Sequence, residues 1–350
     1  MAKKRPSGRG RSMDLPMREL GFQWHVTDRC DGRCAHCYQS DFSGSRELGL
    51  YGLVDVAARV LSALDGCRVS INVTGGEPFL LPYLPELLRA LHRHEALEEV
   101  NVITNGATAT PKALDALAAL PKLGSFKISI EGGDRETDDA LRGPGHFDAV
   151  MQNLPRFLAT GHPVALMLTL SRRNASSIAG AIDVARGCGA SGVIFERFVP
   201  LGRGLGMADA TLGASEWRDA VCAIAAAAGV DAEPEDLLPY RAFWVDARPG
   251  ADAPLSGALC NLGPDSMCLM PDATVYPCRR LPVAVGNVLS EPFDAIRARL
   301  AAWAPDAIRP RLSGSRCGSC TVEGCTGCRA LALAVSGDPL ADDPQCALFS

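Results

Sequence analysis

The chain has 350 residues, of which 47% are hydrophobic and 21% charged, the composition of an ordinary globular protein. Lys and Arg total 35 against 40 Asp and Glu, and the formal net charge of -5 argues against a broad nucleic-acid-binding surface. No apolar stretch approaches the ~20 residues of a membrane span. We therefore expect a cytoplasmic protein that binds neither nucleic acid nor a membrane.

The beginning of the chain is basic and rich in Gly, Ser and Pro between Lys3 and Arg11. No apolar run follows it, which argues against a signal peptide and predicts a disordered tail over residues 1–18. Beyond this tail, strand-like runs alternate with helix-like runs. The strand candidates are Leu20–Thr27, Val69–Thr74, Val100–Thr104, Phe126–Glu131, Val164–Leu170 and Gly192–Phe198.

The runs between these strands carry apolar residues three and four positions apart, as in Leu84, Leu87, Leu88 and Leu91, which is typical of amphipathic helices. Strands that alternate with helices predict a parallel sheet covered by helices. Six such units favour an α/β fold with a partial (β/α)6 TIM-like barrel over residues 19–230. A connector rich in Pro, Ala and Asp follows at 231–257, and a small Cys-rich domain at 258–350.

Alternation within the strands predicts a cavity inside the barrel. Lys127 and Glu131 alternate with apolar neighbours that would face the helices, and so do Gln23 and His25 in the first strand. A closed eight-stranded barrel fills its interior with branched apolar residues instead. The alternative is that these polar faces meet solvent.

Fourteen cysteines are many for a cytosolic chain. Disulfides do not persist in the cytosol, so clustered cysteines indicate metal or redox chemistry. One cluster lies near the start and a second lies between Cys260 and Cys346. The isolated Cys67, Cys188 and Cys222 are expected to be small buried hydrophobic residues.

The first cluster has the spacing CxxxCxxC at Cys30, Cys34 and Cys37, and an aromatic residue, Tyr38, comes directly after it. Three thiolates are one short of a closed tetrahedral metal site. They are enough to hold a 4Fe-4S cluster at three corners and leave one iron open to another ligand. The alternative is a zinc knuckle whose fourth ligand lies elsewhere.

Each predicted strand ends in a polar or glycine-rich segment. Because catalytic groups of parallel barrels lie at the C-terminal strand ends, we expect these segments to meet at one rim. Any single one could be a plain turn. After the cysteine loop they are Thr74-Gly75-Gly76-Glu77-Pro78, Thr104-Asn105-Gly106, Ser129-Ile130-Glu131-Gly132-Gly133, the end near Thr169 and Ser171, and Arg197-Phe198-Val199-Pro200.

The pairing of CxxxCxxC with Gly75-Gly76-Glu77-Pro78 resembles the radical S-adenosylmethionine (SAM) superfamily over roughly residues 20–230. The resemblance implies that SAM chelates the open iron and is split by one electron to a 5′-deoxyadenosyl radical, which abstracts a substrate hydrogen. It also implies SAM-binding residues. These are Tyr38, Gly75, Gly76, Glu77, Ser129 and Arg142, with weaker matches at Asn105, Thr169 and Val199.

The second cluster contains the run CxxCx4CxxC, and with its context it resembles the SPASM extension of radical SAM enzymes, which holds two auxiliary 4Fe-4S clusters. Its spacing departs from the usual CxxCx5CxxxC, and Ala273 stands where glycine is usual. Zinc in one of the two sites is the alternative. The resemblance implies one ligand set of Cys260, Cys268, Cys278 and Cys328, and a second of Cys317, Cys320, Cys325 and Cys346.

SPASM-bearing enzymes of the sulfatase-maturating type place an aspartate directly after the cysteine that corresponds to Cys278. Here Arg279 and Arg280 follow Cys278, which argues against that activity. The resemblance therefore implies an enzyme of the radical SAM oxidoreductase type that modifies a ribosomally made precursor peptide. The alternatives are the same chemistry on a small natural-product or cofactor precursor, and an iron–sulfur electron carrier without catalysis.

The ~20 residues before the first strand are too few for a peptide-recognition domain. A separate recognition protein or direct docking is therefore expected, with a flavodoxin or ferredoxin as electron donor. No general base can be named from the sequence. The candidates for substrate-facing residues are His25, Gln23, Lys127, Glu131 and Glu196, and the alternative for each is a paired group in the barrel interior.

Overall fold

The computed structural model describes residues 18–348, and the greater part of the predicted tail lies outside the described residues. Within that range the chain forms one eleven-stranded sheet with helices packed on it. The strands are β1 Glu19–His25, β2 Arg68–Thr74, β3 Leu97–Thr104, β4 Leu123–Ser129, β5 Val164–Leu170, β6 Gly192–Arg197, β7 Ala242–Asp246, β8 Leu255–Ala258, β9 Ser266–Leu269, β10 Thr274–Tyr276 and β11 Gly286–Asn287.

The helices follow the strands in the alternation that the sequence predicts. They are α1 Leu50–Ala63, α2 Leu84–Leu91, α3 Pro111–Ala118, α4 Arg135–Arg142, α5 His146–Leu158, α6 Ile178–Cys188, α7 Ala214–Ala228, α8 Pro234–Leu237, α9 Phe293–Leu300, α10 Pro305–Ile308, α11 Ser315–Ser319 and α12 Arg329–Ser336. None of these described helices combines the length and the apolarity that crossing a bilayer requires.

Strands β1 to β6 are parallel and lie side by side in chain order. The sheet does not close on itself within the described range, because it ends at β11 on one side and at β8 on the other. This confirms the predicted α/β fold with a partial TIM-like barrel. Apolar helix faces cover the sheet, as where α2 buries Leu84, Leu87, Leu88 and Leu91.

The sheet continues past both predicted boundaries of the barrel. In the expected connector, α8 and β7 form, and β7 pairs antiparallel with β6 while β8 pairs with β7. On the other side β9 pairs parallel with β1 and leads into the hairpin of β9 and β10. The segment 231–257, predicted as a connector, thus adds strands to the sheet, and its apolar residues Phe243 and Val245 are buried.

Alternation in the strands has the predicted orientation. Phe126, Ile128 and Ile130 are buried, whereas Lys127 and Ser129 line cavities on the inner side of the sheet. Three predicted strands end earlier than expected, since β1 ends at His25, β4 at Ser129 and β6 at Arg197. The polar residues beyond these ends therefore lie in loops at the rim of the barrel.

Candidate active site

The CxxxCxxC loop leaves β1 and is held from three sides. The Gly76 N–H donates to the Thr27 carbonyl (2.8 Å), the Ala35 N–H to the Leu141 carbonyl (2.7 Å), and the Gly204 N–H to the Cys37 carbonyl (2.9 Å). These bonds come from the loops after β2 and β6 and from the end of α4. The loop is thus fixed by backbone contacts that do not involve its thiols.

The three thiols face one cavity. Gly32 lies between two of them, since a Cβ added there would be 3.6 Å from the Cys30 Sγ and 3.7 Å from the Cys34 Sγ. The Gln39 N–H points at the Cys37 Sγ at 3.4 Å. Burial raises the pKa of Cys30 to about 12, so a bound cation is what would keep this thiol ionised.

Three thiols facing one cavity are a donor set that fits a 4Fe-4S cluster held at three corners. Within residues 18–348, no group of three or more His, Cys, Asp or Glu side chains closes on one metal position. In a zinc site each thiolate sulfur lies about 2.3 Å from the one metal ion. In a 4Fe-4S site the thiolates bind different irons and are therefore separated by the width of the cluster.

The cavity measures about 1110 Å³, including space open to solvent, and the C-terminal ends of several strands line it. The predicted rim therefore exists as one continuous wall. Of the residues that the resemblance assigns to SAM, those on this wall are Tyr38, Gly75, Gly76, Asn105, Ser129, Arg142, Thr169 and Val199.

Gly75 and Gly76 are required by the approach of two loops. A Cβ on Gly75 would collide with the carbonyl oxygen of Thr27, and one on Gly76 with that of Arg29. The Glu77 N–H donates to the same Arg29 carbonyl at 2.8 Å. The glycine pair therefore lets the loop after β2 pack directly on the chain that enters the cysteine loop.

Glu77 departs from its predicted role. Its side chain is wholly buried and, among the described residues, it is absent from the cavity wall. Its carboxylate accepts bonds from the Thr104 hydroxyl (2.8 Å) and from the backbone N–H groups of Asn105 (2.7 Å) and Phe79 (3.0 Å). Burial raises its pKa to about 7. Glu77 thus holds the Asn105 loop in place, and its assignment to SAM stays a prediction.

Glu131, one of the candidates for a substrate-facing residue, lies in a buried ion-pair network. Its buried carboxylate pairs with Arg142 (Nη2, 2.6 Å) and His36 (Nε2, 3.1 Å) and accepts the Thr169 N–H at 2.9 Å. Burial alone would raise its pKa, but His36 and Arg142 outweigh burial and lower it. Arg142 also directs Nη1 towards the Cys34 Sγ at 3.8 Å.

The other four candidates differ in position, and Gln23 lines both the cavity of the three thiols and a second cavity. His25 is fully buried against Tyr38, neither ring nitrogen has a partner within the described chain, and burial lowers its pKa well below the usual range. The Lys127 Nζ donates to the Asn72 Oδ1 at 2.7 Å, and Lys127 lines the second cavity. Glu196 pairs with Arg280 and lines both cavities.

The eight C-terminal cysteines line two cavities. The first is the cavity of Lys127 and Glu196 described above. The second contains Arg241, whose Nη2 lies 2.9 Å from the Cys325 Sγ. The ligand assignment stays a prediction, although both cavities are rich in thiols as cluster sites require. Around the first are Cys260, Cys268, Cys278 and Cys328, and around the second are Cys317, Cys320, Cys325 and Cys346.

The isolated cysteines lie apart from these sites. Cys67 and Cys188 are half-buried, but Cys222 is exposed, so the expectation that it is buried was wrong. It follows Val221 on α7, and that neighbour takes the buried face of the helix.

The sequence analysis did not predict the roles of two arginines of the site. Arg280 lies on the wall that the SAM-type cavity shares with the cavity of Cys278, and Arg197 lines the former from the end of β6. The signal for Arg280 was its place two residues after Cys278, which was used only as an argument against one activity. Arg197 stands in the rim segment that ends the sixth predicted strand, but nothing in the sequence indicated its role, since its partner Asp343 lies 146 residues away.

Residues 24–185 match the family model of the radical SAM superfamily. The chain carries a radical SAM domain. Such a domain implies SAM and one 4Fe-4S cluster, and the cysteine loop and the cavity wall lie within or beside the matched range.

Curated relatives cover nearly the whole chain. Mycofactocin maturase MftC of Mycobacterium tuberculosis is 28% identical over 96% of this chain and 84% of its own length. The AdoMet-dependent heme synthase of Methanosarcina barkeri is 26% identical over 92% and 95%. The PqqA peptide cyclase of Ruegeria pomeroyi is 29% identical over 92% and 85%. The likeness therefore extends beyond the radical SAM domain into the Cys-rich region.

A solved structure agrees with this extent. Native anSMEcpe with bound AdoMet superposes with a TM-score of 0.70 and covers 94% of this chain and 95% of its own, at 16% identity. At that identity the likeness supports the fold alone.

Proposed function

We propose that this chain is a radical SAM enzyme that modifies a ribosomally made precursor peptide. Cys30, Cys34 and Cys37 would hold a 4Fe-4S cluster, and the cavity beside them would hold SAM. The observation that supports this most is that the three thiols share one cavity with eight of the nine residues that the family resemblance assigns to SAM.

When bound, the cluster and SAM would supply a 5′-deoxyadenosyl radical that abstracts a substrate hydrogen. The chain's own residues would hold and orient these groups. Glu131 would hold Arg142 towards the cavity, where its guanidinium can pair with a carboxylate. Glu77 fixes the backbone of Asn105, another residue of the cavity wall. The Tyr38 ring, stacked at 4.5 Å from the Arg279 guanidinium, would offer a flat apolar face to an adenine.

Two auxiliary 4Fe-4S clusters form the second part of the proposal. Cys260, Cys268, Cys278 and Cys328 would hold one, and Cys317, Cys320, Cys325 and Cys346 the other. The sharing of one cavity by each set supports this division. Four thiolates complete each cluster, so we infer a role in electron transfer.

A peptide substrate is supported by the relatives, one of which is a maturase and another a peptide cyclase. The cavity lined by Lys127, Glu196 and Arg280 would take the substrate, since it joins the SAM cavity to the first auxiliary set. A recognition protein or direct docking would deliver the peptide, and a flavodoxin or ferredoxin would supply the electron.

A small-molecule substrate is the second candidate. It is favoured by one observation, the relative that is a heme synthase. A neighbouring gene for a short precursor peptide would separate the two candidates, and so would turnover of that peptide by the purified enzyme.

The test is anaerobic reconstitution followed by iron analysis and an assay for 5′-deoxyadenosine. Three clusters predict about 12 irons per chain. Alanine at all three of Cys30, Cys34 and Cys37 should remove about four irons and abolish SAM cleavage. The matched control is Cys222→Ala, which alters an exposed cysteine on α7 and should change neither value. SAM cleavage by the triple variant would contradict the proposal.

A further inference from the structure

A buried carboxylate lies between the two auxiliary cysteine sets. Asp343 is fully buried, and its Oδ2 accepts bonds from the Arg197 Nη1 at 3.0 Å and from the Cys328 N–H at 2.9 Å. Its Oδ1 accepts the Gln345 N–H at 3.0 Å. Asp343 therefore touches a cysteine of the first set directly.

The same residue also touches the second set. The Asp343 N–H points at the Cys317 Sγ at 3.3 Å. Arg241 lies on the other side, with Nη1 3.9 Å from the Asp343 Oδ2 and Nη2 2.9 Å from the Cys325 Sγ. One carboxylate and one guanidinium thus form a short polar connection between the two thiol sets.

Arg197 extends this connection to the barrel. It is 2% exposed, its guanidinium lies 4.3 Å from the Trp217 ring, and it lines the cavity of the CxxxCxxC loop. Within the described residues, Asp343 is the carboxylate in contact with both Arg197 and Arg241.

Charges at these distances act on a cluster's reduction potential. A carboxylate disfavours the extra negative charge of the reduced cluster and lowers its potential, while donors to the thiolate sulfur raise it. Since the surroundings are buried, solvent screens these effects little.

We propose that Asp343 is a positioning residue that, with Arg197 and Arg241, sets the reduction potentials of both auxiliary clusters. This rests on the proposed function, because it requires clusters at the two thiol sets. An ion pair that only joins the barrel to the C-terminal region would have the same geometry. In that case, however, removing a negative and removing a positive charge would not shift the potentials in opposite directions.

The test is an EPR-monitored redox titration of the full chain with alanine at Cys30, Cys34 and Cys37, which leaves the auxiliary clusters as the signal. Asp343→Asn keeps the shape and removes the charge, so both potentials should rise. A tenfold change in a one-electron equilibrium corresponds to about 59 mV, and we expect a shift of at least this size. Arg241→Gln should shift the potentials downward, most for the set that contains Cys325.

Asp338→Asn is the control, because Asp338 bonds to Ser313 and the Leu340 N–H away from the thiols. It should leave the potentials unchanged. Unmoved potentials, or shifts in the same direction for Asp343→Asn and Arg241→Gln at full iron content, would overturn the inference and leave the proposed function standing.

If Asp343→Asn loses iron, Arg241→Gln decides by itself, and a missing downward shift would overturn the inference. An unsubstituted chain with only about four irons would instead remove the auxiliary clusters, and both proposals for the C-terminal region would fall together.

Discussion

Glu131→Gln tests how the site keeps Arg142 in place. The substitution preserves the size of the side chain but leaves the buried Arg142 guanidinium, 2.6 Å away, without its countercharge. Removing one partner of a buried ion pair costs about 3–5 kcal/mol of unfolding free energy. Glutamine can still accept the Thr169 N–H bond, so we expect a loss near 3 kcal/mol.

The assay is urea unfolding of the cluster-free protein at pH 7, compared with Glu291→Gln. Glu291 pairs with Arg299 at 2.6 Å on the exposed surface, and surface pairs contribute little, so the control should unfold like the parent chain. A loss for Glu131→Gln no larger than that of the control would refute the argument.

The pH dependence has a definite sign. Because the folded-state pKa of Glu131 is lowered from its ordinary 4.5, its contribution is present above pH 4.5 and is lost as the pH falls through the lowered value. The difference in stability between parent and Glu131→Gln should therefore shrink in acid, and a difference that grows below pH 4.5 would contradict it.

Three further predictions follow from the same geometry. Gly76→Ala brings a Cβ into the Arg29 carbonyl, so the reconstituted chain should lose about four of its irons and keep about eight; unchanged iron content would contradict this. Since burial raises the pKa of Glu77 from 4.5 to about 7, its contribution to stability is present below pH 4.5 and lost as the pH rises to about 7. The stability of Glu77→Gln relative to the parent should therefore rise by up to about 3 kcal/mol across that window, which urea unfolding at several pH values would check. Glu196→Gln breaks the ion pair with Arg280 on the shared cavity wall, and should lower product formation tenfold or more while SAM cleavage persists; equal loss of both would place Glu196 elsewhere in the mechanism.

The sequence predicted the barrel well because its signals are local. Apolar spacing in α2 and alternation in β4 each depend on a few neighbouring residues, and both appear in the structure as expected. The strands β7 and β8 were missed because their segment is rich in Pro, Ala and Asp, and their pairing with β6 comes from tertiary contact.

The sequence predicted which residues surround the cavity better than it predicted what each of them does. Short motifs identified the residues around the cavity, but Glu77 and Glu131 point away from it into buried networks. In those networks Glu131 bonds to Arg142 and Thr169, 11 and 38 positions away, and also pairs with His36 of the cysteine loop. The pair of Arg197 and Asp343 joins residues 146 positions apart. No spacing rule in one sequence reveals such partners, because they depend on how the loops fold onto each other.

The central claim is that Cys30, Cys34 and Cys37 hold a four-iron cluster with one iron open to SAM. EPR of the anaerobically reduced chain, recorded with and without SAM, tests this directly. Our account predicts a 4Fe-4S signal that changes when SAM is added and disappears in the triple alanine variant. An EPR signal that stays the same when SAM is added, or zinc in place of iron at these thiols, would contradict it.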